Sequence, residues 1–156
     1  MVRLVQFFTQ QGITVSTVKH AHHGFDVDQP GKDSFLHREA GAREVLVASA
    51  NRFALMHELR GQPEPGLDEL LARLSPVSLV LVEGFKAHSH PKLEVYRRGG
   101  QSPLVAEVDK TVVAVATDVA DLVIDRPVLP LDDTRAIASF IATTVGLDLA
   151  QSHSAG

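Results

Sequence analysis

The stretch VSLVLVEGF, residues 77–85, constrains the fold most. Val77, Leu79, Val80, Leu81 and Val82 form a nearly continuous apolar run that stops abruptly at Glu83-Gly84. A strand with one wet face alternates apolar and polar residues. A strand apolar on both sides must be covered on both faces, as inside a parallel sheet flanked by helices. TVVAVATD (111–118) repeats the pattern and again ends in an acid. Two such strands predict an α/β fold with a mainly parallel sheet.

The rest of the chain supplies the alternation this needs. Residues 2–11 carry Val2, Leu4, Val5, Phe7 and Phe8 at amphipathic-helix spacing and close at Gln11-Gly12. ITVSTVKH (13–20) reads as a β-branched strand. A helix is expected from Asp33 or Ser34, either able to cap it, to just before Gly41. EVLVAS and FALMHEL, split by a short polar break, read as a strand pair. GQPEPG (61–66) is a loop, and 67–74 a short helix with Leu67, Leu70, Leu71 and Leu74 on one face. A strand follows at 92–98 and a brief one at 127–131. Asp132 or Asp133 caps a last helix through about Val145. These elements predict one domain over 1–147 and a disordered tail over 148–156.

Bulk properties remove several classes of function. The 156 residues suffice for a domain with a real core. The net charge of −4 argues against a general nucleic-acid grip. With no Cys, disulfides and thiolate chemistry are excluded, which suits a cytoplasmic protein. No apolar run approaches the roughly 20 residues of a membrane helix, and the start lacks the features of a signal peptide.

Ligands of open parallel sheets bind beyond the carboxyl ends of the strands. Three features fall there: Lys19-His20, Glu83-Gly84 and Thr117-Asp118. Glu83 is placed to hold a Mg²⁺-bound water or polarise an attacking water. Gly84 lets backbone approach a phosphate closely. Asp118 can accept two hydrogen bonds from the N–H groups of guanine. Each also has a plainer reading, as a capping or turn-starting acid.

The loop after the first strand, HAHHGFDVDQPGKDS, is dense in polar chemistry. Extended, it puts His20 and His22 on one face and Lys19 and His23 on the other. The His pair with Asp26 or Asp28 suggests a transition-metal site, and Asp26 and Asp28 alone a Mg²⁺. Pro30-Gly31 marks a tight turn, and Lys32 can contact phosphate or pair with Asp33. The Gly31-Lys32 pair is not a Walker A motif. The residue five before Gly31 is Asp26, Asp33 follows Lys32, and no other stretch matches. KAHSHP (86–91) puts His88 and His90 in a further loop open to a metal or to solvent alone.

Together, TVKHAHHGFDVDQPGKDS, REAGA, VLVAS with RFALMHEL, LVLVEGFK and VAVATD closely resemble the MobB family of molybdopterin-guanine dinucleotide biosynthesis adaptors, from about Val2 to Val145. The resemblance implies a P-loop NTPase-like fold, a homodimer, GTP and Mg²⁺ as ligands, and weak GTPase activity. It also implies assistance to the guanylyltransferase MobA, which attaches GMP to molybdopterin. Glu83 and Gly84 are then the Walker B-like element beside Mg²⁺. Lys19, His20, His22, His23, Asp26, Asp28, Gly31, Lys32, Asp33 and Ser34 form the signature loop near the nucleotide, and Thr117-Asp118 lies near the guanine. Family members place a strand and a Walker A loop before the first helix, whereas Met1 falls inside that helix. The fold is therefore expected N-terminally truncated, lacking its first strand and P-loop, with strand edges and a core slot left open. Two explanations are expected to compete. In one, the natural reading frame continues upstream by roughly 15–20 residues. In the other, the chain is a truncated paralogue that binds metal or serves as a scaffold through its His-rich loop instead of binding GTP.

Overall fold

The computed structural model describes residues 1–21, 24–100 and 103–149. The chain divides into two compact units, one of Met1–His20 with Ser75–Gly156, the other of Ala21–Leu74.

In the first unit, helix α1 (Val2–Gln10) precedes strand β1 (Val15–Lys19). Gly12, at φ +76, turns the chain between them. β1 pairs in parallel with a strand over Leu79–Glu83, in a register that sets Lys19 opposite Glu83. A second parallel sheet orders three later strands, Lys92–Tyr96, Val112–Thr117 and Val128–Pro130, with the middle one in sequence also central in space. The last helix, Thr134–Val145, starts where the Asp133 side chain accepts from Ala136 N and ends at left-handed Gly146. Both ends match what the sequence predicts.

The second unit holds a helix over Asp33–Glu39, an antiparallel pair of Glu44–Ala48 with Phe53–His57, and a short helix over Leu67–Leu71. In chain order the helices are thus α1, α2 (33–39), α3 (67–71) and α4 (134–145). The strands are β1, β2 (44–48), β3 (53–57), β4 (79–83), β5 (92–96), β6 (112–117) and β7 (128–130).

The two apolar runs enter the core differently, β4 through the Leu79–Leu81 face and β6 through both of its faces. Leu79 and Leu81 of β4 join Phe8, Ile13, Ala138 and Ala142 in one core cluster. On β6, Ala116 packs with Leu131 and Ile137, while its neighbour Val115 packs with Leu104 and Ala106. Successive residues therefore meet cover on opposite faces. Leu4 of α1 and Ile141 of α4 touch both of the clusters under these helices, so the α1–α4 layer spans both sheets of the unit. Phe8 is fully buried. A 3-10 turn over Val105–Glu107, absent from the sequence reading, covers the far face of β6. The Glu94 carboxylate holds it by accepting from Val105 N and Ala106 N at 2.9 and 2.8 Å.

At β7, Pro130 stands opposite Thr117 but has no N–H, and the ladder bond there runs from Leu131 N to Thr117 O, 2.9 Å.

Candidate functional site

The carboxyl ends of β1 and β4 are built as a pair. His20 N donates to Glu83 O at 2.8 Å, which carries the ladder one residue past the end of β1. Lys19 Nζ sits 3.5 Å from Glu83 Oε1, with both side chains more than half exposed. Gly84 follows at φ +100, and a Cβ there would lie 2.5 Å from His20 Cβ. Only glycine fits, on both conformational and steric grounds. Phe85 is also left-handed, at φ +50, and its ring stacks on the His20 imidazole with centroids 4.7 Å apart. Lys19, His20, Glu83 and Gly84, singled out from the sequence, thus occur together, and Phe85 joins them.

The end of β6 carries the next pair. Thr117 is buried, and its hydroxyl accepts from Val119 N at 3.0 Å. Asp118 is exposed and accepts from Arg98 N at 2.7 Å through Oδ1. Both line a shallow, open groove at the ends of β6 and β7, together with Leu122, Leu129, Leu131 and Asp132. Its walls mix apolar side chains with Thr117 and the carboxylates of Asp118 and Asp132, which suits a flat heterocycle bearing N–H donors.

The acids of the loop after β1 lie in the other unit and have a different setting. Arg38 of α2 gathers Asp26, Asp28 and Glu58, with contacts of 3.0, 3.2 and 2.8 Å. Its guanidinium also lies 5.5 Å from the centre of the Phe35 ring. The Asp28 N–H and then the Arg38 side chain hold Asp26 below its usual value. Burial opposes ionisation of Asp28, but hydrogen bonds from Ser34, Gln29 N and Arg38 prevail and lower it. Glu58 first, then Asp26, raise the Arg38 value. Asp26 and Asp28 are thus already satisfied by a cation of the chain itself.

The same loop corrects one local expectation. α2 begins at Asp33 with Lys32 as its N-cap and no side-chain cap bond. The hydroxyl of Ser34 donates to Asp28 Oδ1 at 2.8 Å, so it serves the ion cluster and not the helix end. Asp33 lies in the first helical turn, where a negative charge meets the positive end of the helix dipole. Pro30 and Gly31 form the expected turn, closed by Lys32 N to Gln29 O at 3.2 Å with Gly31 at φ +83. His22 and His23 lie outside the described residues.

Arg38 was not among the sequence candidates. Its one signal is the helical i, i+4 spacing from Ser34, downstream of two aspartates. The loop after β4 adds a pair, His88 and His90, with Nδ1 atoms 3.2 Å apart. Burial, then the charge of Lys92, lowers the His90 value.

With this geometry in view, the comparisons are decisive. The family model for MobB, described as molybdopterin guanine dinucleotide synthesis protein B, matches residues 1–118. The chain belongs to the MobB family. It is 40% identical over 142 residues to the molybdopterin-guanine dinucleotide biosynthesis adapter protein of Escherichia coli, a match spanning 89% of this chain and 81% of that protein. Identity to the Haemophilus influenzae adapter protein is also 40%, covering 89% of this chain and 77% of the relative. Among solved structures, a crystal structure of molybdopterin-guanine biosynthesis protein B superposes with a TM-score of 0.70 at 23% identity, over 92% of this chain and 88% of the other. A MobB homologue from Bacillus stearothermophilus gives 0.66 at 24%, over 94% and 87%. At these identities the structural matches speak for the fold alone, the MobB fold, α/β with parallel sheets flanked by helices.

Proposed function

We propose that the chain is a guanine-nucleotide-binding adaptor in the formation of molybdopterin guanine dinucleotide, taking GTP with Mg²⁺ and acting with the guanylyltransferase MobA in the cytoplasm. Family membership supports the pathway. The observation that carries the ligand is the groove at the end of β6, with the Asp118 carboxylate on its wall.

The donor set fits the base end of such a ligand. Arg98 N takes part of Asp118 Oδ1 and fixes the carboxylate, while its other lone pairs can receive the two N–H groups of guanine. Adenine offers no matching donor pair. For the metal, Glu83 is an exposed carboxylate at a strand end, which fits a hydrated Mg²⁺ held by one carboxylate and substrate oxygens. When bound, Mg²⁺ supplies charge neutralisation at the phosphates. Lys19, 3.5 Å from Glu83, orients the carboxylate before ligand arrives. The sequence carries no Walker A motif, so no residue here is assigned the phosphate cradle.

Titration calorimetry of the chain with Mg²⁺·GTP and Mg²⁺·ATP tests this reading. GTP is expected to bind more tightly, and Asp118→Asn to weaken it about 10- to 100-fold, the value of losing charged hydrogen bonds. No heat with GTP, or equal binding of both nucleotides, sinks it.

The proposal extends to a homodimer. On one face of the β2–β3 pair, Leu46 stands opposite Leu55 and Ala48 opposite Phe53. Leu46, Leu55 and Phe53 are each at least half exposed. A sheet face so apolar is costly to leave in water. Sedimentation of Leu46→Lys/Leu55→Lys should show a monomer where the parent is a dimer.

A further inference from the structure

We propose that His88 and His90 form a chelating site for a late first-row divalent metal, Zn²⁺ or Ni²⁺, separate from the oxygen-donor strand end at Glu83. The argument starts from spacing. His88 and His90 stand two residues apart, each at a bend in the loop between β4 and β5. The structure places the two Nδ1 atoms 3.2 Å apart, with ring centroids at 5.3 Å and planes tilted by 35°. The rings therefore converge on their nitrogens. In tetrahedral zinc sites each Zn–N bond is about 2.0–2.1 Å, so two ligand nitrogens stand about 3.3–3.4 Å apart. The observed separation is that bite to within a few tenths of an ångström.

The backbone beneath the pair is fixed from several sides. His88 N donates to Phe85 O at 3.0 Å. Lys92 Nζ donates to the His88 carbonyl and to Thr111 Oγ1, and pairs with Asp109 at 3.2 Å. Pro91 follows His90 and biases it towards extended geometry. Both imidazoles are half-buried, and Asp109 offsets the nearby Lys92 charge.

Donor type sets the class of metal. Imidazole nitrogens suit Zn²⁺, Ni²⁺ and Cu²⁺, whereas Mg²⁺ and Ca²⁺ demand oxygens. Among the described residues no three His, Cys, Asp or Glu side chains gather around one point. The described residues thus supply two ligands, and water or an exogenous donor completes the shell.

The full chain is titrated with ZnCl₂ by calorimetry in a non-coordinating buffer, beside His88→Ala, His90→Ala and a control, His37→Ala, at an exposed histidine of α2. Histidine ring signals of the parent are followed by NMR. One equivalent of Zn²⁺ should bind and shift the ring signals of His88 and His90. Each single variant, folded by circular dichroism, should weaken binding about tenfold or more, with the control unchanged. Absence of Zn²⁺ binding, unshifted His88 and His90 signals, or undiminished affinity in both single variants overturns the site and leaves only a hydrogen-bonded pair. Because the ring signals are read on the parent chain, a variant that fails to fold does not blunt the test.

Discussion

Two acidic regions look alike in the sequence and are built in opposite ways. Around Arg38, three carboxylates surround one guanidinium whose side chain is 14% exposed. At the end of β4, Glu83 meets a single lysine, and both side chains stand in solvent. The first arrangement spends its charge within the chain and ties a loop to a helix. The second leaves charge available to a ligand. Acid content does not separate the two; the number and burial of the partners do.

The sharpest way to break the exposed end is Gly84→Val. The added Cβ overlaps His20, and φ +100 is strained for any L side chain, so a loss of ~3 kcal/mol or more is expected by urea denaturation. At the closed cluster, Arg38→Met removes four hydrogen bonds to Asp26, Asp28 and Glu58 and leaves three carboxylates repelling one another. Hydrogen exchange should then accelerate in α2 and β2, with Arg38→Lys restoring only part of the protection, since an ammonium lacks the planar fork.

Acid titration sharpens the same contrast. Asp26 and Asp28 are held below their ordinary values by hydrogen bonds and Arg38, and Asp109 is lowered to about 2 by Thr111 and then Lys92. A depressed folded value means the stabilisation is complete above the unfolded value near pH 4 and is lost as the pH falls through the folded one. Denaturation midpoints should therefore decline below about pH 4. The part of that decline read by probes in 21–74 should shrink in Arg38→Met. Glu83→Gln is the mildest change. An exposed pair of this kind contributes about 0.5 kcal/mol, so stability should hardly move while Mg²⁺-dependent nucleotide binding falls. A large stability loss in Glu83→Gln would erase the distinction between the two regions.

What the sequence revealed follows from how local each cause is. β6 was legible because burial on both faces demands an unbroken apolar run, and β4 carries the same run with Leu79 and Leu81 buried and Val80 and Val82 half-buried. α4 was legible because Asp133 and Gly146 sit at its ends with the chemistry that each end requires. The α2 cap was misread because a distant aspartate competes for Ser34. The turn at 105–107 escaped notice because its stabiliser, Glu94, lies eleven residues before it, on a strand. The strand-end positions of Glu83 and Asp118 were readable, whereas the groove beside Asp118 depends on how β6 and β7 pair. Arg38 was invisible for a related reason: its partners are gathered from the loop before α2 and from the residue after β3.

Pro130 bears on how this molecule survives in a crowded solution. Alternate N–H groups of a strand point to opposite edges. The N–H of Leu131 points inward to Thr117, so the nitrogen of residue 130 faces out, and as a proline it has nothing to donate. β7 is three residues long, and this gap leaves its outer rim little with which to recruit a stray strand. β2 and β3 contain no proline. That hairpin also exposes Leu46, Phe53 and Leu55, so aggregation of a partly unfolded chain should draw on it before β7.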